Sequence, residues 1–389
     1  MKILVGLSNP HIVGGMEAYV HQILRFWHAS DFELFVVTDE AFTNENRRLI
    51  PEGCKHMDLQ SHRVDDVKAA IEAFAPEVFY CHKGLVDMAF ERWLVGRYRS
   101  YLFVHDYTGL CISGNKSFKR PKRKTCHYEF SKKCLLRYLP KGCGPGQPLS
   151  ITKLYLEQRQ RLQTIKQYQN LICASRYVFD VINQNTNSQN VAVVPYPTTN
   201  DSFEASIAEY SAGKVLFSGR VVEAKGLNVL IKAMELVHKK SSLDVSLHVL
   251  GDGPFLADCK REAHRSQCPT VFHGWVSGEE KLGLIRDAHV NVVPSVWPEP
   301  FGLTGLEAGM YGIPSVAFNV GGIPEWLAGR GIGEVAEFSH PLHESLARAI
   351  LKLLDHPNPH QLRLSAQKTA RSFTLEGHHH KLMEVFHGQ

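Results

Sequence analysis

The sequence predicts an α/β protein built as two parallel-sheet domains, and three observations carry that prediction. Apolar runs of strand length alternate with segments of helical periodicity in the first half, and the plan repeats in the second. Glycine-rich turns follow several of the runs, where sheets of this kind bind their ligands. Pro195 and Pro197, with the polar stretch 198–211, separate the halves. A length of 389 residues leaves room for two cores, and 44% hydrophobic with 21% charged residues is the composition of a globular chain.

The first half reads in order as follows. Lys2 to Leu7 is a strand, too soon broken by Asn9, Pro10 and His11 for a signal peptide. Gly14 and Gly15 open a helix whose apolar residues, from Met16 to Trp27, recur at helical spacing. Strands follow at Leu34–Val37, Val78–Cys81 and Tyr101–Val104, with a helix from Leu85 between the last two. Right-handed crossovers then bring Gly14, Gly15, Glu17, His82, His105 and Asp106 to one rim of the sheet. A helix from Ile151 to Gln167, a strand at Leu171–Cys173, a helix opening at Ser175 and a strand at Val191–Val194 complete the half.

Between Tyr107 and Pro148 the alternation stops, and a long functional loop is expected. It carries Lys116, Lys119, Arg120, Lys122, Arg123 and Lys124, then Lys132, Lys133, Arg137 and Lys141. A solvated basic loop and an anionic surface, phospholipid or acidic glycan, are held as equal readings. A net charge of +5 is too small to argue for nucleic acid. Four of the nine cysteines fall here: Cys111, Cys126, Cys134 and Cys143. Without a secretory signal or C-x-x-C knuckles, free thiols come first, a structural zinc on these four with His127 in reach second, and disulfides last.

In the second half, Lys214–Phe217 is a strand with Ser218-Gly219-Arg220 as its exit, followed by a helix from Gly226 to Lys239. Strands at Val245–Leu250 and Thr270–Phe272 end in Gly251-Asp252-Gly253-Pro254 and His273-Gly274-Trp275. The organising stretch is Asn291–Trp326. A buried strand runs into Pro294, Pro298 and Pro300, which forbid both ladder and helix. Gly302, Leu303 and Thr304 then open a helix that closes near Gly312. Pro314–Phe318 is the next strand, and Pro324 suits a first helical turn after Gly321-Gly322. Two helix N-termini at one sheet edge suit a phosphate. Glu299 and Glu307 beside it suit vicinal hydroxyls, such as a ribose or hexose supplies. Arg220 and Lys225 supply cations for a diphosphate, the arginine able to grip two oxygens at once.

These motifs, E-P-F-G-L-T-G-L-E, A-G-M-Y-G-I-P-S-V-A and G-G-I-P-E, preceded by V-L-F-S-G-R-V-V-E-A-K-G-L and L-H-V-L-G-D-G-P, resemble the signature of retaining GT-B glycosyltransferases, family 4. The resemblance is continuous over the C-terminal half and thinner before it. It implies two Rossmann-like domains facing across a cleft. Residues 1–197 would form the acceptor domain, with the insert 107–148, and 198–372 the nucleotide-sugar domain. A helix over 373–389 would cross back to the first domain; His378, His379 and His380 lie inside it. It further implies that Glu307 holds the ribose and Glu299 the transferred sugar, with the backbone of Gly302, Leu303 and Thr304 at the phosphates. Arg220 and Lys225 would stabilise the leaving diphosphate, and Trp275 would line the base pocket. His105 would orient donor sugar and acceptor, and Gly14 and Gly15 would let backbone approach them. Catalysis would rest on His105, Arg220, Lys225 and Glu299.

The expected activity is retaining hexosyl transfer from a UDP- or GDP-sugar to a glycan or lipid-linked acceptor, in bacterial envelope or exopolysaccharide synthesis. The expected place is the cytoplasm, or the inner face of the membrane through the basic insert. No D-x-D follows a strand, so no metal is expected at the diphosphate and activity should survive EDTA. A dehydrogenase is excluded because Gly6, Gly14 and Gly15 lack G-x-G-x-x-G spacing, and no P-loop motif exists. An epimerase or phosphorylase on the same scaffold, or a non-catalytic sugar-nucleotide binder, remains as a rival.

Overall fold

The computed structural model describes residues 1–12, 14–30, 32–42, 49–198 and 210–388. The chain divides into two compact units: residues 1–121, 126–199 and 375–389, and residues 122–125 with 200–374. Most of the polar stretch expected between the halves lies outside the described residues.

The first unit holds a seven-stranded sheet. Its spatial order is Lys55–Asp58, Glu33–Thr38, Lys2–Leu7, Val78–His82, Arg99–Val104, Asn170–Cys173 and Val191–Val193. Every neighbouring pair is parallel, with Gly6 opposite Val37 and Cys81. The first strand is buried from Ile3 to Leu7, as a sheet covered on both faces demands. The helix Gly15–His28 buries Tyr19, Val20, Ile23, Leu24 and Trp27 along one stripe. Asp87 caps the helix Met88–Val95 by accepting from the backbone N–H of Ala89 and Phe90. That cap explains why the helix begins three residues later than the apolar pattern from Leu85 suggests. The strand Lys55–Asp58 and helix Val64–Phe74 were not expected: the strand is short and polar, without an apolar run to mark it.

The second unit holds six parallel strands in the order Thr270–Gly274, Ser246–Leu250, Lys214–Ser218, Val290–Val293, Ser315–Phe318, Gly333–Ala336. Alternation along the strands divides its core. Val215, Phe217, Leu247, Val249, Val292 and Phe318 face the helices Leu227–Lys240 and Leu342–Leu354. Leu216 and Leu250 face the opposite way with Ile285, Ala308 and Ile313. Helices at Leu256–Arg265, Gly278–Arg286, Leu342–Leu354 and Pro359–Arg371 add to those expected. Pro324 does occupy the first turn of a helix, but Pro324–Leu327 is a single turn. The segment 107–148, read as a loop, contains the helix Lys133–Lys141.

Residues 375–389 count with the first unit. The helix Leu375–His387 is held there through three of its residues. Tyr19 hydroxyl lies 2.8 Å from Nε2 of His378, Trp27 donates to His379 at 3.0 Å, and Phe386 packs on Tyr101 at 4.7 Å between centroids.

Candidate functional site

In a doubly wound sheet the crevice opens where the strand order reverses, beyond the carboxyl ends. In the second unit that point lies between Lys214–Ser218 and Val290–Val293, neighbours from which the chain winds outward in both directions. The exit loop of the first strand carries Arg220 and Lys225. That of the second carries Glu299. The two loops are tied together: Val296 N–H donates to the Ala224 carbonyl at 2.9 Å. Lys225 Nζ sits 2.6 Å from Glu299 Oε1, which also accepts from the Ser295 hydroxyl. Glu299 is buried, and these donors take the place of water at its carboxylate. Arg220 is exposed on its loop.

Two glycines allow this closeness. Gly226 has φ of +72°, and a Cβ there would stand 1.9 Å from the Pro294 carbonyl oxygen. Gly321, at φ +63°, would place one 2.2 Å from the Glu299 carbonyl oxygen. That same carbonyl accepts from Gly322 N–H at 2.8 Å. Trp326 completes the fit by donating to the Phe301 carbonyl at 2.7 Å. The loop bearing Glu299 is thus clamped by the chain before it and the chain after it.

Gly302 precedes the helix Leu303–Met310, so the first backbone N–H groups of Leu303 and Thr304 stand at its open end, while that of Gly305 donates to the Gly302 carbonyl at 3.4 Å. Glu307 lies in that helix, leans toward its N-terminus, and pairs with Lys281 Nζ at 3.2 Å. Lys281 belongs to the helix Gly278–Arg286, which the sequence reading passed over; a pairing across 26 residues leaves no local signal. Ser295 was likewise missed, as one serine in a loop. Trp275 is 63% exposed just past the strand Thr270–Gly274, at the outer edge of the same sheet.

The first unit gathers different chemistry at its own carboxyl edge. His105 is buried with both ring nitrogens engaged: Nε2 lies 2.9 Å from His82 Nδ1, and Nδ1 is hydrogen-bonded with the Tyr196 hydroxyl. Burial, with Lys83 and His378 adding to it, pushes the His105 imidazole down to about 3. His82 is driven well below its ordinary value by burial and by His105. His378 Nδ1 faces the Pro195 carbonyl at 2.7 Å and must donate to it. Its Nε2 therefore accepts from Tyr19 hydroxyl, whose own oxygen takes the proton of Tyr80 hydroxyl at 3.2 Å. The whole cluster is neutral. At its margin Lys83 and Asp106 pair at 2.9 Å, and burial raises Glu17, in the first turn behind Gly14 and Gly15.

Cys111, Cys126, Cys134 and Cys143 all line one apolar cavity of about 20 Å³, next to the buried Lys116. All nine cysteines are free thiols. Burial pushes Cys143 up to about 12, with the other three thiols adding to it. Among the described residues no group of three His, Cys, Asp or Glu side chains is placed to hold a metal.

Residues 200–373 match the sequence model of the family glycosyl transferases group 1, so the second unit carries a domain of that family. An uncharacterised glycosyltransferase of Methanocaldococcus jannaschii is 37% identical over 113 residues, 28% of each chain. The matches span 28% to 54% of the length of that and two other curated relatives. Among solved structures, sucrose-phosphate synthase from Thermosynechococcus elongatus aligns over 100% of this chain and 99% of its own, with a TM-score of 0.73 at 16% identity. The Anabaena protein HepE, in complex with UDP and glucose, aligns over 100% of both chains with a TM-score of 0.69 at 16% identity. These neighbours are GT-B proteins, and the fold of this chain is GT-B.

Proposed function

From a chain of GT-B fold whose second unit is a glycosyl transferases group 1 domain, we propose a retaining glycosyltransferase. It moves a sugar from a nucleoside diphosphate to a hydroxyl of a glycan or lipid-linked acceptor, in the synthesis of a bacterial envelope or exopolysaccharide. The observation that carries the reading is the Lys225–Glu299 pair at the switch point of the second sheet, held between two glycine-clamped loops. A UDP-sugar is the favoured donor, by analogy with the neighbour solved with UDP and glucose.

Each residue has a part in the proposal. Arg220 and Lys225 meet the diphosphate as negative charge develops on it; Lys225 has three donors and can hold Glu299 while giving another to a phosphate oxygen. The backbone of Gly302, Leu303 and Thr304 meets the phosphates, Glu307 accepts from the ribose hydroxyls, and Glu299 accepts from the sugar. Trp275 lines the base, and Gly14 and Gly15 leave space for donor or acceptor. His105, neutral and committed to Tyr196 and His82, orients and does not carry a proton. A base titrating at about 3 takes too little of the acceptor proton at neutral pH. In the proposal the departing phosphate takes the acceptor proton on the same face, and configuration is retained.

Incubation with UDP-, GDP- and ADP-sugars, with and without acceptor extract, tests the reading. Nucleotide release that requires acceptor, persists in EDTA and gives a retained linkage by NMR supports it. Free sugar, sugar phosphate or isomerised donor without acceptor would assign an epimerase or phosphorylase instead. Tight donor binding without turnover would leave a binding protein.

A further inference from the structure

The stretch 130–156 contains five basic residues, Lys132, Lys133, Arg137, Lys141 and Lys153, and no Asp or Glu. It covers the helix Lys133–Lys141 and the first half of Pro148–Ile165, within the first unit; Glu157, the residue after it, pairs with Lys153 at 3.9 Å. Each helix turns apolar side chains inward. The first helix buries Tyr138, whose hydroxyl donates to the Pro145 carbonyl at 3.2 Å, and the second buries Ile151, Tyr155 and Leu162.

Each also turns leucines outward, which core packing does not require. On the first helix Leu136 is 79% exposed and Leu139, three residues on, 45%. On the second, Leu149 is 87% exposed and Leu156, two turns later on the same face, 49%. Nine large apolar side chains are exposed among the described residues, and five of them, Tyr128 and these four leucines, fall between 128 and 156. Scattered single leucines would need no explanation. This concentration, inside the longest acid-free basic stretch of the first unit's surface helices, does.

We propose that this surface docks on an anionic lipid bilayer. The leucines enter the boundary between headgroups and acyl chains, and the lysines and Arg137 stay with the phosphates. A membrane fits better than a protein partner for two reasons. Lysine is depleted at protein interfaces and enriched on membrane-binding helices. The exposed leucines also alternate along the chain with cations, Leu136 and Leu139 flanking Arg137, which stacks 3.9 Å over the Tyr128 ring. No helix among the described residues is long and apolar enough to cross a membrane, so the contact is with one leaflet. The inference is independent of the transfer chemistry, since none of these residues belongs to the proposed site.

The test is co-sedimentation of the full chain with phosphatidylcholine vesicles, with and without about 30 mol% phosphatidylglycerol. The protein should pellet with the anionic vesicles and stay in solution with the neutral ones. Salt should weaken the binding. Leu136→Glu with Leu149→Glu should lower the vesicle affinity at least about tenfold without moving the thermal midpoint, because both side chains already face solvent. The proposal is overturned if wild type ignores anionic vesicles, or if the double variant binds as well as wild type. It is also overturned if light scattering shows a dimer that the double variant abolishes, which would give the surface to a second copy of the chain.

Discussion

The two units use the same sheet geometry and put opposite chemistry at their carboxyl edges. In the second unit the edge keeps its charges: Lys225 holds Glu299 across two loops that glycines bring close, and Lys281 holds Glu307 between two helices. In the first unit the centre of the corresponding edge is neutral, and its charges, the Lys83–Asp106 pair, stand at the margin. His82, His105 and Tyr196 form one hydrogen-bonded chain and Tyr19 with His378 another, the Tyr19 and Tyr196 rings packing at 4.8 Å, and burial keeps the three imidazoles uncharged. Topology therefore fixes where a site can stand, and the side chains delivered to that edge decide whether it handles charge. A diphosphate needs the charged edge, whereas an acceptor hydroxyl needs only orientation.

The sharpest way to break the comparison is to neutralise one charged partner. Glu299→Gln should lower kcat/KM by about 10²–10³, a loss of the size seen on removing one preorganised electrostatic contact. His105→Gln should cost less than this, because the residue it replaces carries no charge. Initial-rate kinetics on both variants decides the matter, and equal losses would mean that the neutral edge shares the electrostatic work.

Next in size is the glycine clamp. Gly226→Ala should destabilise the chain by about 2–4 kcal/mol, since the new methyl meets the Pro294 carbonyl oxygen at 1.9 Å. Gly274→Ala shares the φ of +72° but has nothing within 4 Å of its Cβ. It should therefore lose only about 1 kcal/mol, the conformational part. Urea midpoints for the pair separate close approach from backbone strain. If the two lose equally, the loops are not held by contact.

The smallest effect per group concerns acid. Each of His82, His105 and His378 is harder to protonate folded than unfolded, so its stabilising share is complete above the unfolded value of about 6.5. That share is lost as pH falls toward about 4 for His378 and about 3 for His105. Over that window each should remove about 1.4 kcal/mol per pH unit. Urea unfolding at pH 7 and pH 5 measures the slope, and His378→Phe should flatten it. A pH-independent midpoint would show that the cluster is not buried and neutral as described.

Much of this was legible in the chain. The strands Lys2–Leu7, Val290–Val293 and Ser315–Phe318 announce themselves by apolar runs, and Pro294, Pro298 and Pro300 force the loop that carries Glu299. Ser175 marks a helix start by its capping hydroxyl, 3.3 Å from Val178 N–H. The strand Lys55–Asp58 left no such trace. Nor did the helix Lys133–Lys141, because Pro140 and its run of lysines read as loop.

The sequence by itself determined two wound sheets and which residues sit in the loops beyond their strands, since periodicity, glycine and proline act within a few residues. Only the tertiary structure decided that Lys225 answers Glu299 across 74 residues, that Lys281 answers Glu307, and that both nitrogens of His105 are spent on His82 and Tyr196. Local pattern fixes backbone conformation. Charge pairing and burial depend on which distant strands become neighbours, and that is settled only when the sheet closes.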